Sequence, residues 1–239
     1  MSKILGKLIN NYYKGKKTLV RHTAKPSWHN LRSVVPISRN FGSERGTPVG
    51  RYYIEKYLSK NREVIRGDVL EVADSEYTKK FGTDITSYDV LHYDNNNRKA
   101  TIIGDLTDKL TLPKEKYDCF ICTQTFNHIY HFREAIKGSF YVLKEGGVLL
   151  ATVGGLIQIS RYDMDRWGDY WRFTTLSLSK LFSEVFGEKN VVVDAYGNVL
   201  SCIAILEGMA SEELAMEELD YKDDDYQLII SITAKKTKA

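Results

Sequence analysis

GDVLEVADSEYTKKFGTDITSYDVLHYDNNNRKATIIGD, residues 67–105, decides the fold. Val69-Leu70-Glu71-Val72 is an apolar run broken by one acid, and the small polar turn Ala73-Asp74-Ser75 comes after it. Val90-Leu91-His92-Tyr93-Asp94 and Ala100-Thr101-Ile102-Ile103-Gly104-Asp105 repeat that plan, an apolar run closed by a carboxylate. Short apolar runs with helical segments between them predict parallel strands buried on both faces. Ligands of such sheets sit beyond the carboxyl ends of the strands. The acids that close three consecutive runs are therefore expected to meet in one crevice.

Outward from this stretch the alternation continues. Thr47-Pro48 predicts a helix start, with threonine as cap and proline at the first helical position. The helix runs over 49–58, with Tyr53, Ile54, Tyr57 and Leu58 as its apolar stripe. Cys119 to Thr123 reads as the fourth strand and Arg133 to Leu143 as a helix. Lys144-Glu145-Gly146-Gly147 then reads as the helix stop and Val148 to Val153 as the fifth strand. The loop 154–174 is long, aromatic and charged, as functional loops are. Thr175 to Phe186 predicts a helix, Val191 to Asp194 a strand, 198–210 a largely apolar helix, and Gln227 to Ala234 a last strand. The acidic segment 212–225 reads as a solvated connection.

The 239 residues suit one large domain, or one domain with an arm. No stretch approaches the roughly 18 apolar residues of a membrane span, and the start lacks the pattern of a signal peptide. The cytoplasm is the expected location. Three cysteines give no disulfide framework. Cys119 and Cys122 have metal-site spacing but lie three apart on a strand, on opposite faces, so no metal is expected. Residues 1–66 carry 15 Lys and Arg against 3 Asp and Glu, which puts +12 there and −9 on the remainder of a chain of net charge +3. A basic quarter can attract nucleic acid, lipid or phosphate. Its charges are scattered through loop-like sequence, and the reading here is a solvated basic arm over 1–37, with the aromatics Tyr12, Tyr13 and Trp28, ahead of a domain over 38–239.

Seven phrases carry a resemblance over roughly Ser38 to Lys236: FGSERGTPVGRYYIEKYL, LEVADSEYTKKFG, DVLHYD, GDLTD, TQTFNHIY, LKEGGVLLATV and SRYDMDRWGDYWRFT. The chain resembles the class I S-adenosyl-L-methionine (SAM) methyltransferases, and within them a bacterial group associated with glycosyltransferases and polysaccharide assembly. The resemblance implies an α/β Rossmann-like fold: a mostly parallel seven-stranded sheet, helices on both faces, and a late antiparallel strand. It implies SAM as cofactor. By position, Arg45 and Tyr52 fall at the methionine end, and Asp94, with Asp89 as the other candidate, at the ribose hydroxyls. Asp105 falls at the adenine amino group, with Leu106 on the ring and Gln124 beside the cofactor. Glu71, Ala73 and Asp74 stand where the family has its glycine-rich turn. Alanine is small enough for close approach but does not comfortably take positive φ, so this departure leaves open how the cofactor is cradled.

The sulfonium already activates the methyl group, so the protein must position the acceptor and remove its proton. His128 resembles the histidine that some small-molecule methyltransferases use as base, and Asp169 is the second candidate. Aromatic faces beside acids and arginine suit a sugar ring, which makes Asp165, Trp167, Tyr170 and Arg172 the expected acceptor contacts. The reaction expected is O-methylation of a saccharide or glycosylated small molecule, with nucleic acid not the partner. Two alternatives stay open at this point: an RNA methyltransferase, favoured only by the basic arm, and a non-catalytic protein on the same scaffold, favoured by the missing glycine. Acceptor and oligomeric state are not legible.

Overall fold

The computed structural model describes Tyr12 and residues 32–237. The chain divides into two compact units, Met1–Pro36 and Ile37–Ala239. Nearly all of the expected arm, Tyr13 and Trp28 included, lies outside the described residues.

The frame of the second unit is one seven-stranded sheet in the order β3-β2-β1-β4-β5-β7-β6. The strands are β1 Gly67–Val72, β2 Ile85–His92, β3 Ile102–Ile103, β4 Tyr117–Thr123, β5 Leu143–Gly154, β6 Val191–Tyr196 and β7 Ile229–Lys235. The pairs from β3 to β5 are parallel, and β7 runs antiparallel to both β5 and β6. This is the expected sheet with its late antiparallel strand. The helices are α1 Val49–Lys60, α2 Glu76–Phe81, α3 Phe132–Val142, α4 Arg161–Met164, α5 Thr175–Phe186, α6 Val199–Glu207 and α7 Met216–Asp220.

The apolar runs have no polar face because the sheet is covered twice. Leu70, Phe120, Cys122, Leu149 and Ala151 enter one core with Ala135 and Ile136 of α3 and Leu178, Leu181 and Phe182 of α5. Their sequence neighbours Val69, Cys119, Ile121, Val148 and Leu150 enter a second core with Tyr53, Tyr57 and Leu58 of α1 and Ala204 and Ile205 of α6. Alternate residues of a strand point to opposite faces, so Cys119 and Cys122 are separated by the sheet. Burial raises the thiols of Cys122 to about 12 and of Cys202 to about 11, and pushes Cys119 up as well. In the native protein at pH 8 all three are expected to resist a thiol reagent that labels them at once after unfolding. Fast native labelling, followed by mass spectrometry, would contradict this packing.

Three local expectations are corrected. Helix α1 begins at Val49 with Pro48 as its N-cap, which has no side-chain oxygen to offer, and the Thr47 hydroxyl donates to Glu212 Oε1 at 2.7 Å. The LKEGG segment is not a helix stop. Strand β5 already begins at Leu143, opposite Tyr117, and the register jumps so that Val148 lies opposite Cys119. The segment between is a bulge, with Gly146 at φ +81°. The acidic segment is no solvated connection either. Glu213 pairs with Arg45, Glu212 also receives the Thr47 N–H at 2.9 Å, and Asp220 holds Lys56 and the Tyr52 hydroxyl. Part of the basic N-terminal excess is thus neutralised by named C-terminal acids.

Candidate active site

The sheet reverses its order of addition between β1 and β4, the switch point at which α/β sheets open a crevice. A cavity of about 620 Å³ lies there, lined from β1 by Glu71, Val72 and Asp74 and from β4 by Thr123 and Gln124. Its other walls include Asn40, Phe41 and Ser43 of the first loop, Gly50, Arg51 and Ile54 of α1, Glu76 and Tyr77 of α2, and Asn127 and His128. Ile157, Gln158, Ser160, Asp163 and Asp169 of the long loop and α4 close it.

The turn after β1 explains how the wall is made without glycine. Ala73 adopts φ +67°, contrary to the expectation from its side chain. The Asp74 N–H returns to the Val72 carbonyl at 2.9 Å, a three-residue γ-turn in its rarer, strained hand. The Ala73 N–H donates to Leu91 O at 2.9 Å, and its carbonyl accepts from Asn97 Nδ2 at 2.6 Å. Alanine here has the backbone of a glycine, held from three directions. Gln124, at the end of β4, is also left-handed at φ +48°. Its N–H donates to Thr152 O at 2.7 Å. Two strained non-glycine residues at adjacent strand ends are the kind of cost that functional sites carry.

Glu71 is buried at 3 % exposure. Its carboxylate accepts the N–H groups of Tyr77 at 3.1 Å and Thr78 at 2.8 Å, and the Thr78 hydroxyl at 2.6 Å. It therefore ties the first turn of α2 to β1. Burial raises its pKa against the pull of those donors.

His128 sits just past β4. Its Nδ1 is 2.9 Å from the Gly168 carbonyl, which can only accept, so Nδ1 carries the proton and the neutral ring has its lone pair on Nε2. Asn127 Nδ2 donates to Nε2 at 3.0 Å, and Asp163 Oδ2 stands 3.7 Å from the same atom. Trp167 spans the long loop: its indole N–H donates to Asp163 Oδ1 at 3.1 Å and its ring meets His92 edge-on at 5.5 Å.

Of the residues expected at the cofactor or acceptor, Glu71, Asp74, Gln124, His128 and Asp169 reach the cavity wall. The rest do not line it. Arg45 is bound by Glu213, its Nε 3.0 Å from Oε2. Tyr52 donates to Asp220 at 2.6 Å, and burial with that carboxylate pushes its phenol up to about 12. Its neighbour Arg51 faces the cavity instead, since successive helix residues diverge by about 100°. Asp94 closes its own turn on Asn96 at 3.0 Å, and Asp105 does the same on Thr107 at 2.7 Å. Both carboxylates stand beyond their strand ends without joining the wall, so the expected meeting of three acids is not what forms it. Asp89 lies inside β2 and binds Thr101, Lys116 and Tyr117. Leu106 is core at 5 % exposure.

On the acceptor side, Asp165 pairs with Arg161 at 3.3 Å. Arg172 is spent on Asp169 and on the carbonyls of Gln158 and Trp171. Burial would raise the Asp169 carboxyl, but Arg172 and the Ser160 N–H outweigh it and hold the group below its ordinary value. Asp169 is a poor base here, and His128 is the better placed. Tyr170 is half exposed, beside Tyr130 at 5.4 Å. Asn127 and Asp163, which also reach the wall, were not among the expected contacts. Among the described residues no three His, Cys, Asp or Glu converge as metal ligands.

The cavity and the β1 turn lie at the switch point, where α/β sheets of this kind bind their ligands. Residues 66–151 match the family model described as a methyltransferase domain. The match covers a little over a third of the chain and marks a SAM-dependent methyltransferase domain, with SAM as its cofactor. Solved structures share the fold at low identity. A SAM-dependent methyltransferase from Archaeoglobus fulgidus is 11% identical, with TM-score 0.50 over 78% of this chain and 94% of that one. The [4+2]-cyclase SpnF is 14% identical, with TM-score 0.53 over 87% and 88%. The CurJ carbon methyltransferase is 15% identical, with TM-score 0.51 over 83% of this chain and 58% of that one. No curated protein is significantly similar in sequence. Among the described residues no helix is long and apolar enough to cross a membrane.

The cavity residues fit SAM. The volume lies in the usual ligand range of about 300–1,000 Å³. The wall carries the carboxylates of Glu71, Asp74, Glu76, Asp163 and Asp169 against the single guanidinium of Arg51, which suits a cofactor bearing a sulfonium and an ammonium group.

Proposed function

We propose that this enzyme O-methylates a hydroxyl of a saccharide or glycosylated small molecule, as a cytoplasmic step of bacterial polysaccharide or glycoconjugate assembly. The observation that carries the reading is the hydrogen-bond arrangement of His128. Its Nδ1–H is committed to Gly168 O at 2.9 Å, so a basic Nε2 is left at the cavity wall. Bound SAM supplies an activated methyl group. An acceptor hydroxyl that takes the place of the Asn127 amide N–H gives its proton to Nε2 as the oxygen is alkylated. Asp163 Oδ2 stands 3.7 Å from the same nitrogen. Asp74, Glu76 and Arg51 on the wall are the residues proposed to hold the cofactor, with the Val72–Asp74 turn beneath it.

Two observations favour this over the alternatives. Ala73 supplies the left-handed backbone of the missing glycine, which removes the reason for suspecting an inactive scaffold. The acidic lining opposes a phosphate-rich acceptor such as RNA, whose binding would also be steeply salt-dependent.

Calorimetric titration with SAM and with its demethylated product is the first test, followed by product release in the presence of a sugar panel. The His128→Asn variant is expected to bind SAM as the wild type does and to lose about 10²–10⁴-fold in methyl transfer. Unchanged turnover would remove His128 as base, and no methylation of any sugar by SAM-binding protein would remove the saccharide.

A further inference from the structure

The His128 wall has a further property, visible once the ring's tautomer is fixed. With the Asn127 amide nitrogen turned to Nε2 at 3.0 Å, the oxygen of the same amide is left over. Asn127 is 2 % exposed, and its Oδ1 has no hydrogen-bond partner. A buried oxygen without a partner is costly, and native proteins keep few of them. The Asn127 backbone carbonyl accepts from Tyr170 N at 2.9 Å, which anchors the residue, while the side-chain amide has only its Nε2 contact to give up when a hydroxyl arrives and can then turn Oδ1 toward it. On the other flank, Asp163 commits Oδ1 to the Trp167 indole at 3.1 Å and leaves Oδ2 beside Nε2. Nearby cations are already taken: Arg172 by Asp169 at 2.8 Å, while Arg51 stands 3.9 Å from Glu76.

Both unspent groups flanking Nε2, Asn127 Oδ1 and Asp163 Oδ2, therefore accept hydrogen bonds. We propose that this subsite takes an uncharged acceptor group carrying two neighbouring hydrogen-bond donors, a vicinal diol, and excludes a carboxylate or phosphate next to the reacting oxygen. This deepens the saccharide reading and rests on His128 as base. One hydroxyl of the pair meets Nε2 and the other satisfies Asn127 Oδ1 or Asp163 Oδ2. A diol lacking its second hydroxyl leaves a buried acceptor unpaired, and an anion meets Asp163 with no cation to offset it. A site built to hydrogen-bond a hydroxyl discriminates strongly against the analogue without it.

The test uses the full chain with the demethylated cofactor product bound, and reads sugar binding by saturation-transfer NMR and titration. The probes are methyl glycosides of the common hexoses, their 2-deoxy analogues, and the matching uronates and 6-phosphates. The neutral glycosides are expected to bind, with roughly tenfold weaker binding of the 2-deoxy analogue of at least one and no binding of the anions. Asp163→Asn keeps an oxygen for the Trp167 indole but turns a donor toward the subsite. It should weaken the diol by a similar factor and admit the anions. Asn127→Ala, checked for folding by its melting curve, should abolish the difference between diol and 2-deoxy sugar. Equal or tighter binding of uronate or phosphate overturns the proposal, as does binding of no sugar, or binding unaffected by both substitutions. Failure to bind the cofactor product is a separate result, and would count against the methyltransferase site itself.

Discussion

Ala73→Val is expected to abolish SAM binding in calorimetric titration, whereas Ala73→Gly should bind SAM normally and unfold at higher urea. Ala73 sits at φ +67°, the apex of the turn that ends β1. A left-handed backbone costs an alanine about 1–2 kcal/mol, and a β-branched residue is a true outlier there. Relaxing the turn is not open to valine. The Ala73 N–H, the Ala73 carbonyl and the Asp74 N–H are all bonded, to Leu91, Asn97 and Val72. The strain must instead displace Val72 and Asp74, both on the cavity wall. Glycine removes the steric cost and adds roughly 0.5–1 kcal/mol of chain entropy to be lost on folding, so the net gain is about 0.5–1 kcal/mol. Wild-type SAM affinity in Ala73→Val would show that the turn is not part of the cofactor's cradle.

Glu71→Ala should destabilise the protein by about 3–5 kcal/mol and weaken SAM binding. The buried carboxylate takes two backbone N–H groups and a hydroxyl from the start of α2. Hydrogen bonds to a charged acceptor contribute about 1.5–3 kcal/mol each, and the donors left behind are buried. Glu76 and Tyr77 on the same turn line the cavity, so the wall loosens with the helix. The pH dependence has a definite sign. Burial raises the folded-state pKa of Glu71 above its unfolded value, so the native state holds this proton more tightly. Its contribution is fully present below the unfolded pKa and is lost as pH rises through the raised one. Urea titrations across that window should show this slope in the wild type and lose it in Glu71→Ala. An unchanged slope would mean that Glu71 does not titrate as its burial requires.

The elements were legible because their signals are local. Apolar runs of strand length, separated by amphipathic helices, can be buried only in a sheet covered on both faces. Alternate residues of β1, β4 and β5 duly enter two cores. The helix over 175–186 was legible to the residue, since Thr174 caps it and Gly187 ends it at φ +84°. His128, Asp74 and Gln124 reach the cavity wall because they follow strand ends at the switch point.

The misses have one origin. A side chain's role depends on which partner tertiary structure brings to it. Arg45 and Tyr52 look free in the sequence but meet Glu213 and Asp220, more than 160 residues away. Arg172 and Asp169 look like acceptor contacts but satisfy one another. The LKEGG glycines suit a helix stop and a strand bulge equally, and only pairing with β4 decides between them.

The sequence alone determined the α/β architecture and the strand ends at which the cavity opens, and its resemblance to known enzymes gave the methyltransferase class. Tertiary structure alone decided that an alanine would carry a glycine's backbone, because bonds to Leu91 and Asn97 hold it there against its own preference. It also decided the state of His128. A histidine's tautomer is set by the atom facing each ring nitrogen, and the Gly168 carbonyl lies 40 residues along the chain.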